Sequence, residues 1–588
     1  MTRRNHRWTV IQSPAVDSAL VEKLAKEINV PETLARVLCN RGITSYAKAK
    51  EFFRPQLADL HNPFLMDGME QAVNRAIKAV EAHERIMVFG DYDVDGTTSA
   101  AMLTLYFRRL GLETMYYIPD RIKEGYGVSN LAIDKAKEHG VSLLVTIDCG
   151  ITALDQIEYA KSLGIEVIIC DHHEPLDRLP NAVAVLDPLK PMCQYPFKNL
   201  CGCGVGFKFI QGISSRLHRE TEDAIANDYI DFVTIATAAD IVPMVGENRI
   251  FTKIGLERIN AMPRPGIGAL IENSGLQLGK TNTGQIVFVL APRINAVGRM
   301  GDASRAVQLL MSQDEATTQQ LAQVLEEENR ARRKIDEDTF FQAQQIVESY
   351  LHADSDPAIV LHHETWHPGV IGIVASRLVE KYYRPTIMMT TVDGIAKGSA
   401  RSISGFDIHA ALKRVEDKLL QFGGHKYAAG LSVALDRVDE FREAFNLVVE
   451  ELMTENIRTP EILIDSEITL GEITPRFLRI LKEFAPFGPS NMRPVFLARG
   501  VEAVGSPKVV GKDHLKFKVR QHRNVLDAIG FGLGSLIDKV RTGGSKLDIV
   551  FSIDEYEWQS PQVPQNGSGA ESFPQLKVKD IKINTEGN

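Results

Sequence analysis

Asp91, Asp93 and Asp95 stand at alternate positions, and Gly96 follows them. Before them runs a short apolar segment, residues 86–89, of the buried-strand type. After them, residues 97–110 carry apolar side chains at helical spacing. Three like charges this close repel one another unless something positive lies among them, and a divalent cation is the usual partner. A calcium-binding EF-hand loop opens with the same pattern, but it needs a Glu at its twelfth position and a helix before it. Here the twelfth position is Met102 and the preceding segment reads as a strand. A solvated acidic turn remains the plain alternative for this motif taken alone.

The elements that would position these carboxylates lie within residues 76–300. Apolar runs at 86–89, 115–118, 143–147, 167–170 and 183–186 alternate with helical patterns, notably at 97–110, 129–139 and 153–163. Short apolar strands alternating with helices imply a parallel sheet covered on both faces, with its site at the C-terminal strand ends. The second and third candidate site segments fit that rule. Residues 143–147 run into Asp148-Cys149-Gly150, and residues 167–170 run into Asp171-His172-His173. An Asp after one strand is unremarkable, because it caps helices. Three such endings, one with two histidines, point to a metal site. Asp240 ends a further apolar run, 235–239; buried, it needs a partner, and a metal or a capping role before Pro243 both satisfy that need.

At 588 residues the chain is long enough for several domains, and 44% hydrophobic with 24% charged residues is ordinary for a soluble protein. A net charge of -9 excludes a uniformly basic surface but not a local basic track for nucleic acid. The basic start at residues 1–8 lacks the apolar stretch of a signal peptide, and no run of uncharged apolar residues is long enough to span a membrane, so a cytoplasmic protein is expected. Six cysteines fit a reducing compartment; Cys193, Cys201 and Cys203 lack zinc-ribbon spacing and are expected as buried free thiols.

The rest of the chain divides by pattern. Residues 1–75 are mixed helices, read as an N-terminal packing segment. Residues 301–350 form a long charged helical stretch joining two domains, with Leu321, Val324, Leu325, Ala331 and Ile335 as its apolar side. There Arg330, Arg332, Arg333 and Lys334 mark either a solvated face or a phosphate contact. Residues 351–455 start a second, smaller α/β domain. It holds Gly398-Ser399-Ala400-Arg401 and the glycine-rich turn Gly423-Gly424-His425, both able to approach an anion. His362, His363 and His367 lack the spacing of a metal site and are read as core or surface residues. Residues 456–588 switch to strand periodicity. In 514–520, Leu515, Phe517 and Val519 alternate with Lys516, Lys518 and Arg520, which places the cations about 6.6 Å apart on one face. Such a row suits successive phosphates of a single strand; a lysine-protected edge strand is the alternative. Lys508, Lys512 and Arg523 lie nearby. Residues 561–572 read as a loop.

The ordered set Asp91-Tyr-Asp93-Val-Asp95-Gly96, Asp148-Cys-Gly, Asp171-His172-His173 and Ala239-Asp240 resembles the four motifs of the DHH phosphoesterases. Gly423-Gly424-His425 resembles the signature of their DHHA1 partner domain. The long connecting helix and C-terminal β domain resemble the RecJ-type single-stranded-DNA exonucleases of that family. The resemblance implies a parallel-sheet DHH domain at 76–300, a helix at 301–350, a DHHA1 domain at 351–455 and an OB-like β-barrel at 456–588. It implies two cations, Mn²⁺ or Mg²⁺, held by Asp93, Asp95, Asp148, His172 and Asp240, with Asp148 bridging. Related small phosphoesterases carry a histidine four residues before the first ligand Asp. Phe89 stands there in this chain, and Asp91 either compensates or supports the ligands from behind.

By the same resemblance His173, Asp148 and His425 are catalytic. His173 would face the scissile phosphate, His425 and Arg401 would close over the same phosphate from the second domain, Ser399 and Arg121 would bind a terminal 5′-phosphate, and Arg299 would guide the strand. Gly424, and on the strand pattern Lys516, Lys518 and Arg520, are further candidate substrate contacts. The implied activity is 5′→3′ hydrolysis of single-stranded DNA to mononucleotides in repair and recombination, by a monomer that works beside a helicase and a single-strand-binding protein and has no membrane partner. Two other outcomes stay open: a different DHH phosphodiesterase, for oligoribonucleotides or cyclic dinucleotides, and a non-catalytic single-strand-binding scaffold. A dehydrogenase-type fold lacks its Gly-x-Gly-x-x-Gly.

Overall fold

The computed structural model describes residues 5–121, 123–218, 221–350, 356–541, 546–558 and 571–583. The expected loop at 561–572 lies outside them up to residue 570, as do the first four residues of the basic N-terminus. Two compact units form. One joins residues 1–56 to 461–588, and the other runs from 57 to 460.

The larger unit is built first on a five-stranded parallel sheet. Across it lie Thr114–Tyr117, Ile86–Gly90, Leu143–Ile147, Glu166–Cys170 and Ala184–Leu186. The first of these in sequence, Ile86–Gly90, is buried along its whole length. Strand alternation sends Ile86 and Val88 to one core, and Met87 and Phe89 to the other. That is why the strand reads as a continuous apolar run. Phe89 stacks on Tyr117 at 5.7 Å and faces the core.

Several boundaries differ from the sequence pattern. The helix after the aspartates is Val94–Arg109, because Asp93 caps it by accepting from the Gly96 N–H at 3.0 Å. Asp95 therefore sits inside its first turn rather than in a loop. Asp240 follows no strand; it caps the C-terminus of the helix Glu222–Ala239. The 301–350 stretch is two helices, Ser304–Met311 and Glu315–Tyr350. On the longer one Ala331 is exposed, while Asn329, Arg332 and Asp336 are buried. The buried stripe of this helix is polar at its middle, so apolar residues alone misplace its inner face.

The second sheet of this unit has the order Gln421–His425, Ala428–Ala434, Ile395–Arg401, Thr386–Val392 and Ile359–His362, with only the last pair parallel. Ser399 and Arg401 thus lie on a strand, not beside a flexible turn. Gly424 and His425 close the edge strand, with Ala428–Ala434 between it and Ile395–Arg401, rather than forming a turn of their own.

The smaller unit is a closed barrel. Ser466–Glu467, Phe496–Val510, His514–Gln521, Asn524–Phe531, Glu571–Ile583 and Leu547–Trp558 pair in that order, and Phe496–Val510 pairs with Leu547–Trp558 to close it. His514–Gln521 is flanked on both sides, so it is no edge strand. The helices Ser18–Ile28 and Glu32–Asn40 share the barrel's core through Val21, Leu24, Leu34 and Leu38, and Arg7–Val10 pairs in parallel with Glu461–Ile464.

A buried ion pair holds the helix Gly202–Leu217, whose first turn reaches the site. Lys208 Nζ lies 2.7 Å from Glu247 and donates to the His61 carbonyl at 2.9 Å; Tyr195 Oη donates to Glu247 at 2.7 Å. Both charges are fully buried. Removing one member leaves the other unpaired, which costs about 3–5 kcal/mol. Lys208→Met should therefore lower the thermal midpoint by several degrees, as read by calorimetry; an unchanged midpoint would show that this pair carries no stability.

Candidate metal centre

Three strands of the first sheet end in acids, at Asp91, Asp148 and Asp171, and the helix cap Asp240 joins them. Three triads have ligand atoms within 4.8 Å of one another: Asp91, Asp93 and Asp148; Asp95, His172 and Asp240; and Asp148, His172 and His173. His172 Nε2 lies 3.1 Å from Asp148 and 3.8 Å from both Asp95 and Asp240. Its ring also bonds the backbone of Leu200, which orients Nε2 toward the carboxylates.

The backbone around these groups is strained or tight. Asp148 has φ +62 and Ile241, after Asp240, has φ +59. Left-handed backbone is unfavourable for such residues and is retained where the surroundings over-determine it. A Cβ on Gly202 would lie 2.7 Å from that of Asp148, and one on Gly96 would lie 2.4 Å from the Asp91 backbone. Gly202 and Cys203, in the first turn of their helix, donate backbone N–H groups to Asp95 at 2.6 and 2.7 Å. The helix dipole adds to that hold. At Asp240 the dipole has the opposite sign, since a carboxylate at a helix C-terminus faces partial negative charge.

The electrostatics follow from burial and crowding. Burial and then Asp93 push Asp95 up to about 7. Burial comes first for Asp91, Asp148 and Asp240 as well, with neighbouring carboxylates adding to it, and all three stand well above the usual range. Asp91 Oδ1 is buried without a hydrogen-bond partner. Burial and then His173 pull His172 down to about 4, so its imidazole is neutral, as a metal-binding nitrogen must be. Oxygen donors with one neutral imidazole suit Mn²⁺ or Mg²⁺ better than a thiolate-seeking metal. The nearby cysteines are buried free thiols, as expected.

His173 belongs to a different arrangement. Its Nδ1 lies 2.7 Å from Asp171 Oδ1, whose carboxylate also accepts the N–H groups of His172 and Ile151. Burial lowers His173, but the Asp171 bond and charge outweigh it and lift it to about 9. The Tyr126 hydroxyl lies 3.4 Å from the His173 ring. Sequence reading passed over Asp171 as a holder of His173, and over Tyr126. It also missed Asp187, a buried acid after Ala184–Leu186 whose Oδ2 has no partner. The position of Asp187 at a strand end was the available signal.

A cluster of guanidinium groups adjoins this centre. Arg121 lies over the Tyr92 ring at 4.9 Å, and Arg299 donates to the Gly369 carbonyl at 3.0 Å, which joins the two sheets' domains. Arg401 donates to Ser399 Oγ at 2.8 Å, and both crowd the Cα of Gly372, where a Cβ would lie 2.9 Å from each. Burial, then Arg121, Arg332 and Arg401, pull Arg299 down to about 10. Burial and then Arg121 lower Arg401. Arg332, on the connecting helix, was left open by the sequence pattern and proves buried beside this group. Concentrated positive charge of this kind seeks an anion, and arginine forks fit phosphate. His425 is exposed and, among the described residues, has no hydrogen-bond partner; register places it in the row of Ala428 and Arg401.

Comparison with known proteins gives matches along most of the chain. Residues 85–237 match the DHH family, N-terminal domain; 344–451 match the DHHA1 domain; and 464–566 match the RecJ OB domain. The single-stranded-DNA-specific exonuclease RecJ of Bacillus subtilis is 37% identical over 98% of this chain and 71% of its own length. Its namesake in Escherichia coli is 34% identical over 92% of this chain and 91% of its own. The crystal structure of RecJ with Mn²⁺ from Thermus thermophilus superposes with a TM-score of 0.82 at 27% identity, covering 98% of this chain and 79% of that one.

Gly202→Ala tests the geometry of the centre. The added methyl meets Asp148, so phosphodiester cleavage should fall at least 100-fold with the fold retained by circular dichroism. Cleavage within twofold of the parent would show that the close approach of the two segments is not required.

Proposed function

The chain belongs to the RecJ family of single-stranded-DNA-specific exonucleases, and from that premise we propose how its residues divide the work. The protein is a DHH-type phosphodiester hydrolase that acts on single-stranded DNA with Mn²⁺ or Mg²⁺. Asp93, Asp95, Asp148, His172 and Asp240 would hold two cations, and Asp148, which belongs to two of the three donor groups, would be shared between them. Asp91 stands with Asp93 and Asp148, and its unpartnered buried Oδ1 makes it a further ligand. Phe89 takes no part, since its ring is committed to the core. The observation that carries the reading is the convergence of five buried or half-buried carboxylates and a neutral imidazole on one sheet edge.

When bound, the cations supply an activated water and neutralise charge on the phosphoryl oxygens. The chain's own residues do the rest. Asp171 keeps His173 protonated and fixed, so the imidazolium faces the scissile phosphate as a donor. Arg121, Ser399 and Arg401 seat the terminal phosphate, and Arg299, tied to Gly369, lines the path between the domains. Seating a terminal 5′-phosphate beside the cations makes the enzyme work from that end, which gives 5′→3′ polarity and mononucleotide release. Gly424 and His425, one strand away from Arg401, close over the phosphate from the DHHA1 side. Lys516, Lys518 and Arg520 lie on the OB-like barrel, a fold that grips single strands. Residues 57–75 work with the catalytic unit; 1–56 support the barrel. A helicase and a single-strand-binding protein are the natural suppliers of substrate, a monomer the working form, and the cytoplasm its place. No helix among the described residues is long and apolar enough to cross a membrane.

The experiment is degradation of an internally labelled single-stranded oligonucleotide with Mn²⁺. A block at the 5′ end should stop mononucleotide release and a block at the 3′ end should not; the reverse pattern would overturn the polarity. Arg401→Ala should lower kcat/KM on a 5′-phosphorylated strand by 10- to 100-fold and on a 5′-hydroxyl strand by under threefold. Equal losses on both would remove Arg401 from the terminal-phosphate role.

A further inference from the structure

The barrel's outer face is not uniform along the strand that carries Lys516, Lys518 and Arg520. Register divides it into rows. Glu502, Arg520 and Val525 form one, and Val504, Lys518 and Asp527 the next. Then come Lys508, Lys516, Ile529 and Lys577, and last Val510, His514 and Phe531. In the first two rows the cations are answered by acids. Arg520 lies 2.7 Å from Glu502, and Lys518 lies 3.8 Å from Asp527. In the other two rows Lys508 and Lys516 sit side by side, with no carboxylate within ion-pair distance of either among the described residues. Lys512, exposed in the turn before His514, and exposed Lys579 flank the same end.

This end also carries an aromatic platform. Phe531 is 55% exposed, although it ends a strand whose alternate residues fill the core. His514 meets its ring edge-on at 5.0 Å, and the Gly532 N–H donates to His514 Nδ1 at 3.4 Å. Phe531 borders a groove of about 860 Å³ that Lys577, Lys579, Arg493 and Met492 also line. Lys577, in the row of Lys508 and Lys516, pairs with Asp554, whereas Lys508 and Lys516 do not; an exposed aromatic ring beside those two lysines matches a nucleobase and its flanking phosphates. Base stacking is sequence-tolerant and the lysines follow the backbone. The face of the second and third barrel strands is where OB-folds take oligonucleotides.

We infer that the barrel grips single-stranded DNA at the Phe531–His514 end, with a base stacked on Phe531 and phosphates on Lys508 and Lys516, and not along Lys518 and Arg520. The strand crosses the barrel strands there instead of running along one of them. Spacing along 514–520 suggested the opposite, because acids on the neighbouring strands are invisible to a single segment's periodicity. This inference rests on the single-strand reading above and refines where that substrate is held.

The test is equilibrium binding of a fluorescent dT20 strand to the full-length chain, with chelator present to prevent cleavage. Phe531→Ala should weaken binding by about 5- to 100-fold, the range of one lost base stack, and Phe531→Trp should restore it. Lys508→Ala with Lys516→Ala should reduce the slope of log affinity against log salt by about 1.4, two single-strand phosphate contacts. Lys518→Ala with Arg520→Ala should stay within twofold of the parent. A larger loss from Lys518 and Arg520 than from Phe531, or no loss from Phe531→Ala, would overturn the placement. A parent chain that neither binds nor degrades dT20 would overturn the single-strand reading itself.

Discussion

Buried negative charge is what the rest of the larger unit is arranged around. Asp91, Asp95 and Asp148 are almost wholly buried, with Asp93 and Asp240 against them. At an effective dielectric near 20, two such charges 4 Å apart repel by about 4 kcal/mol. Among the described residues no Lys or Arg side chain lies within ion-pair distance of these five carboxylates, and the imidazole beside them, His172, is neutral. Backbone donors from Gly202 and Cys203 offset part of the repulsion at Asp95. The remainder calls for metal charge, and it explains why the chain tolerates left-handed backbone at Asp148 and Ile241.

The positive groups lie outside ion-pair distance of the acids and gather in a cluster of their own. Arg121, Arg299 and Arg401 come from the DHH loop, the helix Ala291–Met300 and the DHHA1 sheet, and Arg332 from the helix between the domains. Burial and then repulsion from the neighbouring guanidinium groups lower the proton affinity of Arg299 and Arg401, so an incoming phosphate would offset the crowded positive charge. On the proposal above, placing these two opposite clusters side by side would set hydrolysis next to a seated terminal phosphate.

Much of this was legible in the sequence. Uninterrupted apolar runs ending in Asp gave the parallel sheet and its active edge, because both sheet faces are covered and strand ends carry the ligands. Asp240 was legible as an acid in need of a partner but not as a helix cap, since an apolar run of that length fits either element. Gly202 and Cys203 act through their backbone amides, which leave no side-chain signature. Asp171 was hidden because it sits in a motif whose histidines draw attention first. The buried face of Glu315–Tyr350 was misread because its centre is Asn329, Arg332 and Asp336, and periodicity counts only apolar residues. The partners of Lys518 and Arg520 come from other strands, beyond the reach of any local pattern.

The most direct test of the central claim is calorimetric titration of the chelator-treated protein with Mn²⁺, repeated on Asp148→Asn. Two ions per chain for the parent, and loss of tight binding at both positions in the variant, are the predicted result. A parent that binds no Mn²⁺, or a variant that still binds two ions with unchanged affinity, would contradict a shared centre built on Asp148.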